Sequence, residues 1–198
     1  GSKYTAIRYT DANGDSSYYS PEGYSMRKAF LRSPVDFARI SSRFNPRRKH
    51  PVLNRIRAHK GVDYAASTGT PIKAAGDGKI IFRGKKGGFG NVVILQHGSN
   101  ITTLYAHMNY FKRGQRNGHK VKQGDVIGFV GKTGLASGPH LHYEFRVNGV
   151  HKNPLTVKLP TAAPIANAER STFKSVASSL LAQLETFQAT QLAAADLK

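Results

Sequence analysis

Short runs rich in Val, Ile and Phe, separated by clusters of Gly, extend over residues 61–157 and constrain the fold more than any other feature. Strands at such spacing, with Gly-rich turns, are typical of a β-sandwich or barrel. We therefore expect these residues to form a mainly β fold of antiparallel, sandwich-like sheet. Five of the runs are predicted strands, at residues 79–83, 91–96, 102–107, 126–131 and 141–147.

Different elements are predicted on either side of this domain. Residues 3–20 fit a β-hairpin around Asn13-Gly14, because Asn-Gly supplies the positive-φ positions of a tight turn, and residues 25–31 fit a short helix. Residues 168–197 contain no Gly or Pro, and their apolar residues recur at helical spacing. They predict an amphipathic helix that packs on the β domain. The expected organisation is an N-terminal arm at 1–40, belonging to a larger N-terminal region, then the domain at 41–157 and a helical extension at 158–198.

The chain is strongly basic, with 30 Lys and Arg against 11 acidic residues and a formal charge of +19. Such a charge attracts polyanions, either nucleic acid or an anionic envelope surface. Residues 27–60 carry 11 of the basic residues and a single acid, Asp36. This stretch is either a solvated surface or the wall of a groove for an anionic substrate. Because the sequence contains no recognisable RNA- or DNA-binding motif, a nucleic-acid binder is disfavoured.

Cysteine is absent, so a metal must be held by His and carboxylate groups. No segment approaches the ~20 apolar residues that a membrane-spanning helix needs. The chain opens with Gly1-Ser2, which resembles the remnant of a cleaved tag, so we expect that a targeting segment has been trimmed away.

Two histidines and a glutamate alternate with apolar residues at positions 140–145. In a strand, successive side chains point to opposite faces. His140, His142 and Glu144 should therefore share one face. Two imidazoles side by side repel each other when protonated, so a metal or a catalytic task explains the pair, although an exposed polar face is the simpler alternative. Glu144 could hold a ligand's second nitrogen, or form a plain salt bridge.

A second cluster lies at His59 and Asp63, which can reach one metal if the chain bends at Gly61. With one histidine of the pair at 140 and 142, these residues make three N/O ligands, which suits a catalytic zinc that keeps a fourth position for water. The sequence contains no HExxH motif, so the site is not of the thermolysin type. A base must come from elsewhere, and the candidates are His107 and whichever histidine of the pair does not bind the metal.

The chain resembles the lysostaphin/LytM-type zinc metallopeptidases over roughly residues 41–157. Four segments carry the resemblance, in the order in which the family has them: 59–63 (HKGVD), 90–94 (GNVVI), 104–107 (LYAH) and 134–144, which ends in GPHLHYE. The resemblance implies that His59, Asp63 and His142 bind Zn²⁺ and that His107 and His140 are the catalytic histidines. Some family members have a Tyr before the first ligand that steadies the oxyanion. None occurs at residues 45–58, and Tyr105 is either a substitute or a core residue.

Segments outside the domain resemble the Gram-negative murein DD-endopeptidases. These are residues 18–31 and residues 148–155 (NGVHKNPL). The resemblance implies a peptidoglycan endopeptidase that cuts D-Ala–meso-diaminopimelate cross-links, acts on peptide stems in the periplasm or cell envelope, and is membrane-anchored or secreted at full length. A non-catalytic LytM-like regulator of a cell-wall amidase is the alternative, but such modules typically lose ligands or catalytic histidines. For the remaining histidines we expect no part in the chemistry: His97 is structural, whereas His50, His119 and His151 lie in solvated loops.

Overall fold

The computed structural model describes residues 4–48 and 58–195. The chain divides into two compact units. One comprises residues 30–158, and the other combines residues 1–29 with residues 159–198. The fold is mostly antiparallel β-sheet with a C-terminal helix, which confirms the fold class predicted from the sequence.

The smaller unit contains the predicted hairpin and helix. Strands β1 (Ile7–Thr10) and β2 (Ser16–Tyr19) pair antiparallel. In their turn, Asp11 Oδ1 accepts hydrogen bonds from the backbone N–H groups of Asn13 and Asp15, and Gly14 has a φ of 83°. The long helix α1 (Arg170–Ala195) places Phe173 edge-on to Tyr9, with the ring centroids 5.4 Å apart. The helix and the hairpin thus share a small apolar core.

Only part of the apolar stripe of α1 is covered within this unit. Phe173 and Ala177 are buried against the hairpin, whereas Leu180, Leu184 and Phe187 are exposed. The packing of the helix on the β domain stays a prediction, as do the domain boundaries. Nowhere in the described ranges does a helix combine the length and apolar character that crossing a membrane requires.

The prediction of a short helix at residues 25–31 is wrong. This segment forms turns and isolated bridges instead, including one between Lys28 and Thr161. Its backbone groups bond outward, since Met26 N–H donates to Tyr18 O and Ala29 N–H donates to Pro160 O. The backbone groups of the segment thus bond to partners outside it, whereas in a helix they would bond to one another.

The larger unit is built on a ten-stranded sheet whose main path runs β3-β4-β11-β8-β7-β6-β9. Strands β5 and β10 pair with each other, and β10 also pairs with β8, while β12 pairs with β11. All five predicted strands are present. The bounds are β3 Arg39–Ser42, β4 Val62–Ala65, β5 Pro71–Lys73, β6 Gly78–Lys85, β7 Asn91–His97, β8 Ile101–Phe111, β9 Lys120–Val121, β10 Val126–Val130, β11 His140–Val147 and β12 Val150–Lys152.

The central strand β11 separates a dry core from a polar face. Leu141, Tyr143 and Phe145 are fully buried on one side, among the aromatic and aliphatic core residues. The alternate residues His140, His142 and Glu144 therefore lie on the other side, as the alternation predicts. Pairing brings Asp63 of β4 and Ala106 of β8 directly opposite His142. The sheet thus gathers chemically active side chains from the neighbouring strands β4 and β11.

Candidate metal centre and active site

His59, Asp63 and His142 converge on one point. His59 Nε2 lies 3.0 Å from Asp63 Oδ1 and 3.2 Å from His142 Nδ1, and His142 Nδ1 lies 2.8 Å from Asp63 Oδ1. One ligand atom from each residue lies within 4.8 Å of the other two, which is close enough for all three to hold one metal ion. The structure therefore brings together the three residues that the resemblance implied as ligands.

His59 is oriented by the chain that precedes β4. A backbone bridge with Asn45 fixes its main chain, and its Nδ1 lies 2.8 Å from the carbonyl oxygen of Arg43. An N–H at Nδ1 donates to this carbonyl, which leaves Nε2 facing Asp63. The chain bends at Gly61, as expected, and the bend lets two residues four apart reach the same point.

The donor set fits zinc by its chemistry. Two imidazole nitrogens and a carboxylate oxygen are ligands that Zn²⁺ takes in catalytic sites with three protein ligands. Both histidines are buried, at 7% exposure. Burial raises the pKa of Asp63, but hydrogen bonds with His142 and His59 outweigh it and hold that pKa well below its usual range. The carboxylate is therefore ionised and suited to a cation.

His142 uses its two ring nitrogens differently. Its Nδ1 faces Asp63, while its Nε2 lies 3.1 Å from Glu144 Oε1. Without a metal, burial opposes protonation, but the hydrogen bonds to Asp63 and Glu144 outweigh it and raise the pKa of His142 to about 9. A cation bound at Nδ1 would replace the proton there. The ring is thus held between two carboxylates, and Nδ1 is the atom available to a metal. Glu144 does hold the second nitrogen of a candidate ligand, as one of the two sequence alternatives proposed.

His107 and His140 form a second pair beside the cluster. Their ring centroids are 4.6 Å apart, and the His107 ring is 6.0 Å from that of His142. His107 Nδ1 lies 2.8 Å from Thr133 O, and His140 Nδ1 lies 2.8 Å from Gly138 O. Each Nδ1–H donates to its carbonyl, which leaves each Nε2 lone pair for proton transfer. His140 Nε2 is 3.9 Å from Asp63 Oδ1, so this ring borders the ligand cluster.

A bulge in β8 places His107 at the site. Strict alternation would put His107 on the same face as Tyr105, which packs in the core on Tyr143. Between the pairs Asn91↔Met108 and Val93↔Tyr105, β8 has one more residue than β7. His107 has a φ of 60°, an unusual conformation for a residue with a side chain. The extra residue turns His107 to the opposite face, and bulges commonly re-aim a side chain near active sites in this way.

Tyr105 is a core residue and not a substitute oxyanion group. It is fully buried, and its hydroxyl oxygen accepts hydrogen bonds from Ala75 N–H and Thr103 Oγ1. Its side chain lies on the core face of the sheet, away from the histidine pair. Of the two roles that the sequence left open for Tyr105, the structure supports packing in the core.

The other histidines divide as follows. His97 is buried between Asp77 O and Thr103 Oγ1, which confirms a structural role, and His119 is exposed as expected. The prediction of a solvated His151 is wrong, because its Nε2 lies 3.0 Å from Glu144 Oε2. The cross-strand pairing of β11 and β12 brings it there, which no local pattern signals. His50 lies outside the described residues.

A groove of about 280 Å³ opens over the cluster. Phe89 and Leu135 supply apolar walls, and Arg48 and Lys60 supply positive charge. Two of the Lys and Arg residues in the stretch at 27–60 thus line the site. Arg32, in contrast, has a structural task, since it donates hydrogen bonds to the carbonyl oxygens of residues 154, 155 and 157. The stretch therefore mixes groove residues with structural ones.

Comparison with known proteins places this geometry in a family. The model of peptidase family M23 matches residues 57–154. A catalytic-domain mutant of the prophage-encoded M23 protein EnpA from Enterococcus faecalis is 36% identical and superposes with a TM-score of 0.53, covering 61% of this chain and 92% of that one. The chain belongs to peptidase family M23. The predicted resemblance to lysostaphin/LytM-type enzymes is confirmed.

Further similarities extend beyond the M23 match. Peptidoglycan DD-endopeptidase ShyC from Vibrio cholerae is 48% identical over 94% of this chain and 42% of its own length. A zinc-containing peptidase from Vibrio cholerae, known from its crystal structure, is 36% identical with a TM-score of 0.65, covering 78% of this chain and 47% of that one. The M23 chain described here thus spans less than half the length of these relatives.

Proposed function

We propose that this M23 chain is a zinc-dependent peptidoglycan endopeptidase that hydrolyses D-Ala–meso-diaminopimelate cross-links between peptide stems. The observation that carries the proposal is the convergence of His59, Asp63 and His142 beside the pair His107 and His140. A cluster of three ligands with two further histidines is a composition that supports metal-assisted hydrolysis. The similarity to ShyC, whose name states DD-endopeptidase activity, supports the choice of bond.

In the proposed mechanism, His59, Asp63 and His142 would hold Zn²⁺. Zinc supplies Lewis acidity at such a site, lowering the pKa of water to about 7 and polarising a carbonyl. The Nε2 atoms of His107 and His140 carry out the proton transfer and the charge stabilisation. One accepts the proton as water attacks and returns it to the leaving amine, while the other, when protonated at Nε2 as well, donates this N–H to the developing oxyanion. Both rings are locked by backbone carbonyls, so they are positioned for these tasks before substrate binds.

Charge in the groove supports a carboxylated substrate. Peptide stems cross-linked through diaminopimelate carry free carboxylates, and Arg48 and Lys60 line the groove beside the cluster. Pentaglycine bridges offer no such side-chain charge. The net charge of +19 also favours association with an anionic envelope surface. We accordingly propose that the protein works in the periplasm of a Gram-negative bacterium.

The test is digestion of purified tetra-tetra muropeptide dimers and of pentaglycine by zinc-loaded protein, with products separated and identified by mass. We expect dimers to become monomers and pentaglycine to stay intact. His107→Ala should slow cleavage by about 10²–10⁴-fold, whereas His119→Ala, which removes an exposed histidine, should not. Cleavage of pentaglycine alone would refute the bond assignment. Failure of the wild type to cut either substrate, combined with stimulation of a cell-wall amidase, would favour the regulator instead.

A further inference from the structure

Glu144 is a buried carboxylate whose two oxygens have separate partners. It is 2% exposed, on the same face of β11 as His142. Oε1 lies 3.1 Å from His142 Nε2. Oε2 lies 2.9 Å from Arg146 Nε and 3.0 Å from His151 Nε2, and Arg146 Nη2 also donates to it. A buried charge is costly unless it is paired and hydrogen-bonded, and here a guanidinium and an imidazole stabilise it.

The β11–β12 hairpin assembles these partners. Its turn is Asn148-Gly149, and both residues have positive φ, 49° and 75°. Such a two-residue turn fixes the strand pairing, which sets Arg146 opposite His151. A slip of one residue would move His151 to the other face of the sheet. The turn motif therefore determines which side chains meet Glu144.

We propose that Glu144, Arg146 and His151 form an anchor that fixes the His142 ring for metal binding, with Arg146 and His151 acting as positioning residues through Glu144. The inference rests on the metal site of the proposed function. The Oε1 contact makes Nε2 the protonated nitrogen, so that Nδ1 keeps its lone pair for the metal. Arg146 and His151 hold the carboxylate in place through their hydrogen bonds to Oε2. The ring cannot rotate away without breaking a buried, charge-assisted hydrogen bond.

The test measures zinc affinity by competition with a chromophoric chelator in the whole chain. Loss of a partner that orients a ligand typically weakens metal binding about 10–100-fold. Glu144→Gln, which keeps the shape of the side chain, should fall in this range, and Arg146→Met near its lower end. Arg146→Lys should recover part of the loss. The matched control is Lys152→Met, which removes one positive charge from the exposed neighbour of His151 and should bind zinc like the wild type.

Two further readouts separate positioning from general stability. The visible absorption of the Co²⁺-substituted protein should change in Glu144→Gln, because the ligand geometry is altered, and stay unchanged in Lys152→Met. The thermal unfolding of the metal-free variants should change less than that of the zinc-loaded ones. Equal destabilisation of both forms would overturn the proposal, as would zinc affinities in Glu144→Gln and Arg146→Met that match the wild type. A wild type that binds no zinc would instead refute the metal site itself.

Discussion

Gly61 leaves no room for a side chain, and Gly61→Ala tests how tightly the ligand cluster is packed. A Cβ at this position would lie 2.6 Å from Tyr143 O, 2.7 Å from His142 Cε1 and 2.8 Å from His142 Nε2. Ordinary contact begins at 3.4 Å, so the gap to the carbonyl must open by about 0.8 Å. Neither neighbour yields easily, since one is backbone in the central strand and the other is a candidate zinc ligand.

Overpacking of this kind costs about 1–3 kcal/mol. For a domain of this size each kcal/mol lowers Tm by about 2–4 °C, so Gly61→Ala should lose about 2–12 °C. Zinc binding should weaken as well, because ligand positions must hold within about 0.2 Å. Calorimetry of the metal-free protein and chelator competition measure the two effects. The control is Gly84→Ala, whose Cβ would meet only the Phe82 ring at 3.5 Å. If both variants behave alike in Tm and zinc affinity, the steric argument is refuted.

Three further tests, each on other substitutions, have distinct expected results. His142→Ala should lose zinc and hydrolysis together by metal analysis, whereas His107→Ala should keep zinc and lose about 10²–10⁴-fold in rate, the range of a general acid–base group. Burial lowers the pKa of His97 despite its hydrogen bond to a backbone carbonyl. Its stabilising contribution is therefore present above its unfolded pKa of about 6.5 and is lost as pH falls through that value towards the folded pKa. Thermal unfolding of the wild type should thus lose more stability between about pH 8 and pH 5 than that of His97→Gln, and equal losses would contradict this. Lys60→Met should lower kcat/KM on carboxylated dimers by at most about fivefold, since an exposed ion pair contributes about 0.2–1 kcal/mol. It should not affect amidated dimers, and Lys79→Met should affect neither.

The sequence was sufficient where the signal is local and repeats along the chain. Alternation in residues 140–145 placed His140, His142 and Glu144 on one face, because the side-chain period of a strand is fixed by its backbone. The absence of Gly and Pro after residue 168 predicted the long helix for the same kind of reason. For residues 25–31 local propensity failed, since the backbone groups there bond to partners elsewhere in the chain, such as Pro160.

Choosing between the two histidines at 140 and 142 needed more than alternation, because both lie on the same face. The resemblance assigned the ligand to His142, and pairing supplies the physical reason. Asp63 lies directly opposite His142, whereas His140 lies opposite Ala65. The position of a residue across the sheet depends on which strands become neighbours, and that information is non-local.

By itself, the sequence determined the N-terminal hairpin, five of the ten strands of the larger unit, the polar face of β11 and the ligand types. The tertiary structure alone decided three further features: the bulge that turns His107 towards His140, the burial of Tyr105 away from the site, and the link from His151 to Glu144. Each of these depends on an extra residue or a pairing between strands distant in the chain. Because side chains alternate with period two, one inserted residue reverses a face, and no local composition records where that insertion occurs.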